Sequence, residues 1–270
     1  MEPPSTSLPS NSAVLSGFIN LLILIVGFIV LYYAYQYFFG TAGLTGSVIE
    51  SGKITANQGL KTYTNQAKMY EGGEYSVNLW MYVSGWSYLQ GTRKHVVEIG
   101  GSKFSSLLLA LGSYKNSLSV RVDTTDASGN PVATTGGLTT ADKNQFFTPL
   151  TSDTSDLTTS TQCDIDTIDL QRWVQVTVVL NGNICDVFMD GKLVRSCVLP
   201  SYYKVDQSSQ LVKVVDRGGF DGYVSNISTY NYALNPTTIY NMYMSGPQPI
   251  SFDIWSAFNY IKSLFQTKKN

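Results

Sequence analysis

VQVTVVLNGNICDVFMDGKLVRSCVL, residues 174–199, holds three short β-rich runs and two turns. Val174 to Leu180, Ile184 to Met189 and Lys192 to Leu199 carry the branched and aromatic side chains that suit a pleated surface. Asn181-Gly182-Asn183 and Asp190-Gly191 separate them. An Asp-Gly between two such runs marks a two-residue hairpin, because both positions accept positive φ. The stretch therefore reads as an antiparallel meander. Outward from it, the same signals recur at Tyr75 to Val83, Lys94 to Ile99, Ser106 to Leu111, Ser117 to Asp123 and Gly222 to Tyr230. Short strands at this spacing, with no long helix among them, predict an all-β antiparallel jelly-roll sandwich over residues 71–246.

The hairpin also sets expectations for the cysteines. With Asp190-Gly191 as the whole turn, Met189 faces Lys192, Asp186 faces Arg195 and Cys185 faces Ser196. Cys185 and Cys197 then project to opposite sheet faces, which disfavours a bridge between them. Cys163 could reach Cys197 from the neighbouring insertion. Three free thiols is the other reading, and a reducing compartment favours it.

Three stretches break the strand pattern. Residues 127–168 are rich in Thr, Ser, Asp and Gly and read as a long loop inserted on one rim. Residues 40–70, with Gly46, Gly52 and Gly59, read as a linker or stalk. In residues 247–270, Phe252, Trp255, Phe258, Ile261 and Phe265 recur at helical spacing, followed by the basic Lys268 and Lys269. That is an amphipathic helix, docked on protein or lying on a membrane.

No Lys, Arg, Asp or Glu occurs between Glu2 and Glu50. After a polar tail at residues 1–12, residues 13–39 are almost wholly apolar, with Leu21, Ile23, Ile25 and Phe28 at the centre. Tyr32 and Tyr35 lie in the aromatic belt at the far end. A hydrocarbon core ~30 Å thick needs roughly 20 apolar residues in a helix, so a single transmembrane span is expected here. A secretory signal is the weaker reading, since the start carries no Lys or Arg. Formal net charge is -1, which gives no field to draw nucleic acid.

FDGYVSNISTYNYALNP at residues 220–236 resembles the closing strand and turn of laminin-G-like, concanavalin-A-like domains. Gln171-Arg172-Trp173-Val174-Gln175-Val176 resembles an inner strand of that family, with Gln175 where many members carry His. Val187 to Val194 resembles its Asp-Gly-Lys hairpin. Residues 163–200 are further similar to laminin-G-like proteins of large double-stranded DNA viruses, some of them membrane-anchored virion components.

The resemblance brings three site expectations. Hydrolases of this fold carry paired carboxylates on one strand, and glycoside hydrolysis needs two acids across the sugar. Glu2, Glu50, Glu71, Glu74 and Glu98 are the only Glu and form no such pattern, so no enzyme activity is expected. His95 has no nucleophile beside it and reads as a partly exposed structural residue. Some members bind calcium at the rim, and Asp123, Asp126 and Asn130 form an oxygen-rich loop that could hold it; turn capping is the plainer reading. Trp80 and Trp173 are expected in the core, and Trp86 near a binding rim.

These readings give two expected functions. The first is a single-pass virion membrane protein, a minor capsid component whose sandwich tethers a membrane to neighbouring capsid proteins. The second is a membrane-anchored lectin that binds glycans, with or without calcium.

Overall fold

A computed structural model describes residues 16, 19–31, 46–64, 66–124, 138–152, 163–208 and 210–247. The strands are β1 (Gly46–Thr55), β2 (Lys61–Tyr63), β3 (Glu74–Val83), β4 (Lys94–Gly100), β5 (Ser105–Leu111), β6 (Leu118–Val122), β7 (Trp173–Asn181), β8 (Ile184–Met189), β9 (Lys192–Val198), β10 (Leu211–Val214) and β11 (Gly222–Tyr230). Helix α1 spans Thr140–Phe146 and α2 spans Pro236–Ser245. A six-stranded sheet runs β1-β11-β3-β7-β8-β9, and a five-stranded sheet runs β2-β10-β4-β5-β6. Their strand pairings are antiparallel. The expected β-sandwich is therefore present.

Alternation explains the layers. Val77, Leu79, Met81 and Val83 of β3 join Val174, Val176 and Val178 of β7 in one buried cluster with Val97 and Ile99 of β4 and Leu107 and Leu109 of β5. The intervening residues Ser76, Asn78, Trp80 and Tyr82 face outward. Two smaller clusters sit on the outer faces. Leu108 and Ala110 meet Leu138 and Phe147 beside α1. Val179 and Phe188 meet Leu234 and Ile239 beside α2. Asn235 caps α2 by accepting the Thr238 N–H at 2.8 Å, with Pro236 at the first helical position.

The structure departs from the sequence reading in several places. Residues 46–55 are not stalk: they form β1 and pair with β11. Lys61–Tyr63 pairs with β10. The insertion is not all loop, because α1 lies within it. Thr139 and Asp142 form a reciprocal capping box, with Thr139 N–H donating to Asp142 Oδ2 at 3.0 Å. Replacing Thr139 with Ala should cost about 1 kcal/mol. Urea denaturation would check this; an unchanged midpoint would show that the cap carries no stability.

The β8–β9 register also differs. Cys185 faces Cys197 and Asp186 faces Ser196, because an irregularity between Val187 and Phe188 slips the pairing by one residue. The expected Asp186–Arg195 pair is therefore absent, and Arg195 approaches Asp166 at 3.7 Å instead. The structure bridges Cys163 to Cys197 and leaves Cys185 a buried thiol.

Residues 19–31 form a helix whose side chains are exposed. Among the described residues, no helix is long and apolar enough to cross a membrane. Tyr32, Tyr35 and the tail residues Phe252, Trp255, Phe258, Ile261 and Phe265 lie outside the described residues. Residues 1–44 and 45–270 form two separate units.

Candidate functional site

The outer face of the six-stranded sheet divides into a covered part and an open part. Helix α2 covers the first. Tyr243 stacks on Trp80 with ring centroids 5.8 Å apart and planes 12° from parallel. Beneath the helix, Gln175 Nε2 and Thr177 Oγ1 each donate to Asn78 Oδ1 at 2.9 Å. Gln175 Oε1 accepts the Gly191 N–H at 3.1 Å, fixing the β8–β9 turn. Gln175 is fully buried, so the residue that departs from the family pattern is part of this scaffold.

The open part carries a row of rings. Tyr223 of β11 pairs with Tyr82 of β3, and Tyr82 pairs with Trp173 of β7. All three occupy outward positions on adjacent strands, so the strand order puts them side by side. Trp173 and Tyr82 meet edge to face at 5.7 Å, and Tyr82 and Tyr223 lie 6.1 Å apart. Lys53 of β1 places its ammonium 4.3 Å over the Tyr223 ring. These four residues line a shallow dent of about 150 Å³. All three rings are only partly buried. Half-exposed aromatics with polar tips can stack on an apolar ligand face while their hydroxyls or indole N–H take hydrogen bonds.

The expected sites fall elsewhere. Trp173 belongs to this row and not to the core, because its strand parity points it outward. Trp86 does not form an open rim: it packs against the core and under the Lys94 ammonium at 4.7 Å. His95 is fully buried, not partly exposed. Its Nδ1 accepts the Asp216 N–H at 3.1 Å, and its Nε2 lies 3.4 Å from Glu98 Oε2.

Glu98 organises a buried polar cluster on the outer face of the other sheet. Its Oε1 accepts from Ser105 Oγ at 2.6 Å, from Lys143 Nζ of α1 at 2.7 Å and from Lys213 Nζ at 3.4 Å. Burial pushes the Glu98 carboxyl up, but contacts from His95, Lys143 and Ser105 outweigh it and hold the group well below the usual carboxylate range. The cluster ties α1 to the sheet. A carboxylate locked in this way is not a general acid in waiting.

Asp123 is also buried, and its Oδ2 accepts the Leu138 N–H at 3.1 Å. Burial pushes its carboxyl up, against opposing contacts. It closes the insertion onto β6. Asp126 and Asn130 lie outside the described residues. Among the described residues, no three His, Cys, Asp or Glu side chains come together as a metal site.

Solved structures similar to this chain include the binding domain of botulinum neurotoxin serotype D, at 12% identity and TM-score 0.47, covering 76% of this chain and 48% of that one. The serotype D ligand-binding domain in complex with N-acetylneuraminic acid matches at 14% identity and TM-score 0.46, covering 76% and 47%. The binding domain of Paraclostridial Mosquitocidal Protein 1 matches at 14% identity and TM-score 0.42, covering 76% and 48%. The chain thus spans about half the length of these structures. No curated protein matches it. The laminin-G family model described as the concanavalin A-like lectin/glucanases superfamily matches residues 55–240, and the chain belongs to that family.

Proposed function

We propose that this chain is a non-catalytic carbohydrate-binding module held at a membrane by its N-terminal apolar segment. The observation that carries the binding reading is the open row of Trp173, Tyr82 and Tyr223 with Lys53. Sugar rings present C–H faces and hydroxyl edges, which match aromatic faces flanked by hydroxyl, indole and ammonium donors. The absence of a second carboxylate from this dent's described lining supports binding over hydrolysis. The membrane reading rests on the charge-free run before Glu50 and on the exposed apolar side chains of residues 19–31.

A second reading is tethering against neighbouring structural proteins, in a virion or elsewhere. Exposed Leu193, Val194 and Val198 on the edge strand β9 favour it, since an unpaired edge with apolar side chains suits a protein partner. The virion setting itself rests on the sequence resemblance.

A glycan array probed with the detergent-solubilised full chain separates the two. Selective retention should weaken about tenfold in Trp173→Ala, since one stacked ring is worth roughly 1–2 kcal/mol. Trp173 is partly exposed, so the variant should keep its fold, which circular dichroism would verify. A folded wild type that retains no glycan would rule out the carbohydrate reading and leave tethering.

A further inference from the structure

We propose that the aromatic row is a subsite for an anionic saccharide, a uronate or a sulfated sugar, with Lys53 as the group that reads the charge. This rests on the carbohydrate reading above and names its ligand class. Among the described residues, Lys53 is the one cation lining the dent, and no carboxylate lines it.

The neighbouring acids are engaged elsewhere. Glu50 accepts the Tyr63 hydroxyl and the Gly52 N–H, both at 2.9 Å. Asp169 and Asp190, beyond Trp173, are both held by Arg172, at 2.7 and 2.5 Å. Asp221 directs Oδ2 at the Gly85 backbone, 3.3 Å from where a Cβ would stand. The charge of Lys53 is therefore not cancelled within the dent.

Its position is also fixed in a useful way. β1 pairs with β11 at Lys53↔Ser225 and Thr55↔Tyr223, so Lys53 sits diagonally beside Tyr223 on the same face. The ring's negative face holds the ammonium 4.3 Å above its centre while the residue stays exposed. That places three N–H donors above the row, where substituents of a sugar resting on Tyr82 or Trp173 project. The other cation–π pairs contrast with it. Arg93 and Arg121 over Phe146 are buried and face α1. A charge-assisted hydrogen bond to carboxylate or sulfate is roughly twice as strong as one to a neutral hydroxyl, so this ammonium discriminates between otherwise equal sugars. With a net charge of -1 the chain supplies no long-range attraction, and the selectivity must come from this contact.

The test uses the full chain in nanodiscs and isothermal titration with three probes of equal length: a neutral galactose oligomer, an oligogalacturonate and a sulfated galactose oligomer. The wild type should bind one or both acidic oligomers about tenfold more tightly than the neutral one at low salt, and the gap should narrow as salt rises. Lys53→Gln should bring the acidic oligomers down to the neutral affinity, and Lys53→Arg should keep the preference. Equal affinity for all three probes, or a preference that survives in Lys53→Gln, overturns the anionic assignment while the carbohydrate reading stands. No binding of any probe by a folded wild type overturns this assignment, and a blank glycan array with it removes the carbohydrate reading as well.

Discussion

Replacing Lys143 with Met should lower the unfolding free energy by about 3–5 kcal/mol at pH 7. Lys143 and Glu98 meet at 2.7 Å with side chains only 7% and 3% exposed. The pair as a whole contributes little net stability, because both charges lose their water. Removing one partner is different: it strands a carboxylate in a site where Ser105, His95 and the partly exposed Lys213 are the remaining partners. The double variant Lys143→Met with Glu98→Gln should recover most of the loss, since the buried charge is then gone as well. The pH dependence follows from the direction of the Glu98 shift. In the wild type this carboxyl is held below its ordinary value, so its contribution is present at and above the ordinary carboxylate range and fades only in strong acid. In Lys143→Met, burial is less opposed and the folded carboxyl moves up. The gap between variant and wild type should therefore shrink as pH falls from 7 towards 4.5. Urea titrations of both proteins at the two pH values would measure it. A gap that stays constant would mean that Lys143 acts through its packing against the sheet and not through its charge.

That cluster was not legible in the sequence, and the reason is physical. TADKNQF has a polar pattern, is only seven residues long, and buries a lysine where a helical stripe would offer a leucine. Its helix is fixed by a capping box and by one ion pair, and neither leaves a hydrophobic period. β1 was hidden in a similar way. Gly46, Ser51 and Gly52 have poor strand propensity, and only Ile49 is buried, so the strand exists because β11 offers it a ladder. By contrast, β7, β8 and β9 were legible almost to the residue. Their turns need Gly, and their branched residues alternate with the pleat. Even there the register slipped at Val187 and Phe188, because a bulge changes facing partners without changing which residues are strand-like. The aromatic row lies between these cases. Tyr82, Trp173 and Tyr223 are far apart in the chain, and only the order β11-β3-β7 makes them neighbours. Yet each sits next to an inward valine or glycine at a strand end, so parity alone marks them as outward. Assigning Trp173 to the core ignored that signal.

The slipped register bears on the second large effect. Breaking the Cys163–Cys197 bridge should cost about 3–4 kcal/mol, the loop entropy expected for a sequence separation of 34 residues. The bridge ties the end of the insertion to β9, an edge strand that pairs only with β8. Without it β9 loses its anchor on the free side, and hydrogen exchange should accelerate first in residues 192–198. For a domain of this size the loss corresponds to a fall in melting temperature of roughly 10 °C. Cys163→Ser and reduction of the wild type should give similar falls. Cys185 complicates a single-variant experiment, because it faces Cys197 directly once the register slips. In Cys163→Ser these two thiols are left opposite each other and can oxidise to a substitute bridge, so Cys163→Ser with Cys185→Ser is the cleaner comparison. Burial, with the nearby Asp186, pushes the Cys185 thiol up to about 12, so it should resist alkylation in the folded wild type and react only on unfolding. One blocked thiol and one bridged pair in peptide maps of non-reduced protein would match this arrangement. A melting temperature that does not move on full reduction would show that β9 is held by its ladder and by the packing of Phe188 against α2, with the bridge adding nothing.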